Sequence, residues 1–138
     1  MNKTELEQLA EIRLKEAEIL LKANCHHGAY YLAGYALEFT LKACIAKQIK
    51  AFDFPDKKLA NDSYTHDLTK LFITAGLKQE LTEHEKQNED FKLNWAVASK
   101  WSEESRYENS IGEQEANNLY NAITDNSSGI LPWLKKYL

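Results

Sequence analysis

The chain has 138 residues, of which 43% are hydrophobic and 28% charged, and its net charge is −4. That length and balance fit one ordinary globular domain, residues 1–138, and exclude a disordered or collagen-like chain. Only two of the 17 basic residues, Arg13 and Arg106, are arginines, which disfavours a protein that grips duplex nucleic acid through a broad basic face.

Residues 4–23 form the expected first helix, opened by a capping box at Thr4 and Glu7. Its apolar stripe is Leu6, Leu9, Ala10, Ala17, Leu20 and Leu21. At about 100° per residue, Arg13 falls in the middle of that stripe. An unpaired charge in a core is costly, so Arg13 requires an acidic partner, and Glu38 of the next helix is the expected one. Residues 24–28 form a turn. The second helix, residues 29–48, is apolar nearly all round, as suits the centre of a bundle. One strip of it differs: Tyr31, Tyr35, Glu38 and Lys42 lie within about 60° of arc, and Gly34 borders them.

A loop follows over residues 50–63, with Pro55 and the pair Lys57-Lys58. The third helix is expected from Thr65 to Gly76, with Leu68, Leu71 and Phe72 inward. A charged segment begins near Lys78, with a capping box at Thr82 and Glu85. It leads into residues 91–101, where Leu93, Val97 and Trp101 recur at helical spacing. Residues 102–112 form a loop. The last long helix, Glu113–Thr124, carries the stripe Ala116, Leu119, Tyr120 and Ile123. A break at residues 125–129 precedes a short helix with Pro132 in its first turn. Few prolines and glycines, two and five, agree with an all-α antiparallel up-and-down bundle of four to five main helices.

Cys25 and Cys44 show no CxxC spacing and suit reduced thiols, the polar start Met1 to Gln8 is unlike a secretory leader, and no apolar run is long enough to span a membrane. A cytoplasmic protein without a membrane partner is expected.

Several clusters could carry chemistry. The Tyr31, Tyr35, Glu38, Lys42 strip offers stacking rings and a cation for a planar ligand, or a polar seam within the bundle or at a dimer interface. Arg106 and Tyr107, in a loop after Trp101, suit phosphate or base contact. The alternative is that Arg106 pairs with Glu103, Glu104 or Glu108. His66-Asp67 sits at a helix start: a histidine beside a carboxylate suits a general base, or else Asp67 complements the N-terminus and His66 makes a structural hydrogen bond. Cys25-His26-His27 is too contiguous to hold one ion and lacks a fourth ligand. No catalytic residue, metal or cofactor is assigned.

The runs Arg13-Leu-Lys-Glu-Ala-Glu-Ile-Leu-Leu and Gly28-Ala-Tyr-Tyr-Leu-Ala-Gly-Tyr-Ala-Leu-Glu-Phe-Thr-Leu-Lys-Ala, with Thr65-His-Asp-Leu, Trp101 before Arg106-Tyr107, and Leu131-Pro-Trp-Leu, resemble the HEPN domain (higher eukaryotes and prokaryotes nucleotide-binding). The resemblance implies a helical bundle, commonly a homodimer. It implies RNA cleavage, often by a toxin beside a small nucleotidyltransferase, or else non-catalytic binding of nucleotide or RNA. The nuclease members carry an Arg followed by four to six residues and then a His. Arg13 has no such His, and all four histidines, His26, His27, His66 and His84, precede Arg106. The resulting expectation is a non-catalytic nucleotide- or RNA-binding interaction module in a prokaryotic toxin–antitoxin or stress setting. Its ligand candidates are Arg106, Tyr107, Lys42 and Tyr31. The alternatives are a divergent ribonuclease toxin using Arg106 with His66, or a structural partner of a nucleotidyltransferase. The central helix pair and the Trp133 region are the two candidate dimer faces.

Overall fold

A computed structural model of the chain describes residues 1–49, 54 and 56–138. Among them every regular element is helical: α1 (Lys3–Lys22), α2 (His26–Ala46), α3 (Lys57–Asp62), α4 (Leu68–Thr74), α5 (Lys78–Gln87), α6 (Glu89–Ala98), α7 (Glu113–Thr124) and α8 (Ile130–Leu134). Single 3-10 turns occupy Glu103–Tyr107 and Lys135–Tyr137. The all-α bundle expected from periodicity is the fold observed.

α1 begins one turn before its apolar stripe. The Asn2 side chain accepts from the Glu5 N–H while the Glu5 carboxylate accepts from the Asn2 N–H, both at 2.9 Å, so the capping box is Asn2–Glu5 rather than Thr4–Glu7. Its far end is a Schellman motif. Asn24 takes the left-handed conformation (φ 60), and the Cys25 N–H donates to the Leu20 carbonyl at 2.8 Å. That tight reversal lets α2 start at His26, three residues earlier than its hydrophobic pattern suggests. α4 ends the same way: Gly76 (φ 73) turns the chain so that the Leu77 N–H reaches the Phe72 carbonyl at 3.0 Å.

α2 is the axis of the bundle and packs against α1, α4, α7, α8 and the Glu103–Tyr107 turn. Its buried positions are rich in small residues, Ala29, Ala33, Gly34, Ala36 and Ala43, which let neighbours approach its backbone closely. Leu37 and Leu41 meet Leu68, Leu71 and Phe72 of α4 in the core. One part of the same core is aromatic. Phe72 meets Trp95 with ring centroids 4.8 Å apart, Phe91 meets Trp133 at 5.1 Å, and Trp133 meets Tyr137 at 5.1 Å. This cluster fastens α8, whose Pro132 falls in the first turn, where no helical partner for its missing N–H is needed.

Several local expectations are corrected. Residues 57–62, expected in a loop, form α3, capped by Asp56 and tied by a Lys58–Asp62 ion pair at 2.6 Å. Pro55 lies outside the described residues. α4 starts at Leu68, because Asp67 caps it by accepting from the Lys70 N–H at 3.1 Å. Thr82 opens no helix; its hydroxyl donates to the Lys78 carbonyl inside α5. Asn88 ends α5 and caps α6, which rotates the second segment. Its buried stripe is therefore Phe91, Trp95 and Ala98, with Leu93 exposed.

His84 lies in the aromatic cluster, 4.3 Å from Phe91 edge-on and 5.5 Å from Trp133 face-on. Burial, and then the Lys136 ammonium, push its pKa below 6.5. A histidine depressed in the folded state contributes its full stability above the unfolded value and loses it as pH falls through the folded value. Thermal melts from about pH 7.5 to about pH 5.5 are therefore expected to show a falling midpoint with a component absent in His84→Gln. Parallel pH profiles for the two proteins contradict that assignment.

Candidate functional site

The polar strip of α2 sits where two chain segments cross it. Glu38 is only 1% exposed, and a buried carboxylate is tolerable only if it is paired. Its Oε2 lies 3.3 Å from Lys42 Nζ, one turn along α2, and its Oε1 lies 2.9 Å from His66 Nδ1. The other nitrogen of the same imidazole, Nε2, lies 2.9 Å from Glu103 Oε2. One histidine thus bridges a carboxylate in the bundle to a carboxylate on the Glu103–Tyr107 turn. Local hydrogen bonds fix where His66 stands: Thr65 Oγ1 accepts from the Asp67 N–H at 3.1 Å, and Asp67 caps α4.

Trp101 seats the turn on α2. The indole is 3% exposed and lies directly on Gly34, where a Cβ would come within 2.0 Å of the ring. Only glycine permits that approach. Tyr35 completes the seat, with its ring centroid 5.3 Å from Trp101, 5.0 Å from Tyr31 and 6.0 Å from His66. Burial raises the Tyr35 pKa, and the Tyr31 hydrogen bond and the Glu38 charge add to the rise. The phenol therefore stays neutral and serves as a hydrogen-bonding ring. The Ser102 hydroxyl accepts from the Glu104 N–H at 3.2 Å and starts the 3-10 turn. Trp101 Nε1 and Ser105 Oγ are buried there without partners.

The turn presents Arg106 and Tyr107 to solvent. The Arg106 guanidinium sits 4.7 Å from the centroid of the Tyr107 ring, in cation–π range, and Tyr107 is 71% exposed. Hydrogen bonding with Tyr31, and secondarily with Tyr107, raises the Arg106 pKa further above its ordinary value. A permanent cation, one exposed ring and a second, half-buried ring thus lie together at the surface. Chemically, such a group can stack on a base and meet a phosphate.

The model of the HEPN domain matches residues 5–125. The chain belongs to the HEPN domain family. No curated protein and no solved structure matches it. HEPN membership associates the chain broadly with nucleotide- or RNA-related function. Among the described residues, no helix is long and apolar enough to cross a membrane, and no group of three or more His, Cys, Asp or Glu side chains could hold a metal ion.

In this HEPN bundle Arg106, Tyr107 and Tyr31 converge as a surface group. Lys42, the fourth ligand candidate, is committed to Glu38 and largely covered. The expected Arg13–Glu38 pair does not form. Arg13 is a third exposed and pairs with Glu16 on its own helix. The reason is the orientation of α2: its Tyr31 to Lys42 strip faces His66 and the Glu103–Tyr107 turn, so Glu38 finds its counter-charges there. Sequence reasoning gave His66 a structural hydrogen bond without its partners and placed Glu103 only as a partner for Arg106, so the bridge from Glu38 through His66 to Glu103 was missed. The available signal was a buried anion with one lysine a turn away and a histidine fixed beside a helix cap. Cys44 is buried, which pushes its thiol up to about 11; the protonated thiol is a poor nucleophile.

Proposed function

We propose that this HEPN chain, as one domain over residues 1–138, binds a nucleotide or single-stranded RNA without cleaving it, through Arg106, Tyr107 and Tyr31. The observation that carries the proposal is the exposed guanidinium held over the Tyr107 ring beside Tyr31. Stacking contributes about 1–3 kcal/mol per base and tolerates any base, so a ring pair with one cation suits an unpaired strand better than a duplex. Glu103, Glu104 and Glu108 flank the group, which favours a contact of one phosphate over a long polyanion track.

Two features support the non-catalytic side. No histidine follows Arg106, and both nitrogens of His66 face carboxylates, leaving neither free to take a proton from a ribose hydroxyl. Lys42 serves the site indirectly, by neutralising Glu38. The proposal includes a homodimer, or a complex with a nucleotidyltransferase, in a cytoplasmic toxin–antitoxin or stress setting. Ile12 and Ile19, exposed on α1, leave apolar surface there for a second protein.

Calorimetric titration with a short single-stranded oligonucleotide tests the contact group. Saturable binding is expected, and Arg106→Ala should weaken it about ten-fold, the value of one charge-assisted contact. The salt dependence of binding should also flatten, by about 0.7 in log–log slope for the one phosphate lost from a single strand. Binding unaffected by Arg106→Ala, or no binding across single-stranded and duplex probes, overturns the proposal.

A further inference from the structure

We infer that His66 is the positioning residue of the proposed binding surface: by bridging Glu38 and Glu103 it clasps the Glu103–Tyr107 turn to α2 and so holds Arg106 and Tyr107 in place. The inference rests on the function proposed above and deepens it, because it assigns control of the ligand group to a residue outside that group. Glu38 is immobilised in the bundle and already shares a charge with Lys42, so it is a fixed anchor. The imidazole spans from that anchor to the turn, 2.9 Å on each side. The Glu38 carboxylate lies against Nδ1 and the Glu103 carboxylate against Nε2, so one ring links the two segments.

Little else holds the outer part of the turn by side chains. Trp101 pins the chain before it, and Ile111 is buried after it. Between them, Ser105 is buried without a hydrogen-bond partner, while Arg106 and Tyr107 point outward. Glu103 to His66 ties this stretch to the buried Glu38, alongside the contact of Arg106 with Tyr31 at the surface. The histidine side chain itself is 40% exposed and lines an open cleft of about 410 Å³, which Asp67, Lys100 and Glu103 also line. A residue at such a rim can be removed without opening the core, whereas Glu38 cannot.

The clasp predicts coupling rather than direct contact. His66→Ala and Glu103→Ala should each accelerate amide hydrogen exchange across Glu103–Tyr107 in the free protein, with exchange in α1 and α7 unchanged. Each should also weaken binding of a single-stranded oligouridylate probe about ten-fold. The double variant should lose no more than the larger single loss, because both substitutions cut the same tie. Glu103→Gln, which keeps an acceptor oxygen, should restore most of the affinity. Glu103→Ala leaves the Glu38–His66 contact intact, so it tests the clasp even if His66→Ala is poorly folded. Unchanged exchange in the turn overturns the inference, as do losses that add in the double variant, which would place His66 on the ligand itself. Exchange is read without ligand, so a wild-type chain that binds no RNA sinks the proposed function and leaves the clasp itself to be decided by the exchange data.

Discussion

Replacing Gly34 with alanine is expected to destabilise the protein by about 3 kcal/mol, although the same change in an exposed helix would stabilise it by about 1 kcal/mol. The added methyl would stand 2.0–2.2 Å from three atoms of the Trp101 indole. That ring is buried against the axis helix and flanked by Tyr35, so it has no free rotamer space to enter. Relief requires lifting the indole, and the Glu103–Tyr107 turn begins two residues later. Affinity for a single-stranded probe should therefore fall along with stability. Thermal or denaturant unfolding, measured beside a binding titration, checks both. A raised melting temperature would show that helix propensity outweighs the clash, and that Trp101 is not seated as described.

Phe91→Ala should cost at least as much, about 3–5 kcal/mol, as expected for emptying a fully buried aromatic position. Phe91 is 0% exposed and touches His84 and Trp133, the contacts that fasten α8. The loss is a large share of a typical domain stability of roughly 5–15 kcal/mol. Unlike Gly34, Phe91 lies away from the Arg106 group. Below its unfolding transition, Phe91→Ala should bind the probe like the parent chain. The pair of variants separates the scaffold from the site: similar losses of stability, with affinity lost in only one. A cost below about 2 kcal/mol would mean that Trp133 and His84 collapse into the vacated space.

How far the sequence carries the fold depends on the kind of signal. α1, α2 and α7 were legible because long apolar stripes at helical spacing leave little choice. Boundaries set by single polar side chains were less so. Asn2, Asp56 and Asn88 each open a helix by accepting one backbone N–H, and nothing in hydrophobic periodicity marks which of several polar residues does so. Asn88 shows the consequence, since α6 starts at that cap and buries Phe91 and Trp95, leaving Leu93 exposed and Val97 only partly covered.

For the site, the spacing of Tyr31, Tyr35, Glu38 and Lys42 put them on one strip, and the loop position of Arg106 and Tyr107 put them at the surface. What a helical wheel lacks is the identity of the element facing each strip. Arg13 and Glu38 belong to adjacent helices, and a charge on each invited a pair. The direction of Glu38 is set instead by Trp101 lying on Gly34, a contact between residues 67 positions apart. That long-range packing brings Glu103 and His66 to the buried carboxylate, and local pattern does not reveal it.

The most direct measurement mixes the purified chain with end-labelled single-stranded RNA and follows mobility and length on native and denaturing gels from one reaction. The predicted result is a saturable shift of RNA that stays full length, with the shift lost or strongly weakened in Arg106→Ala. Absence of a shift, or shortening of the RNA that Arg106→Ala or His66→Ala abolishes, contradicts a surface that binds without cutting.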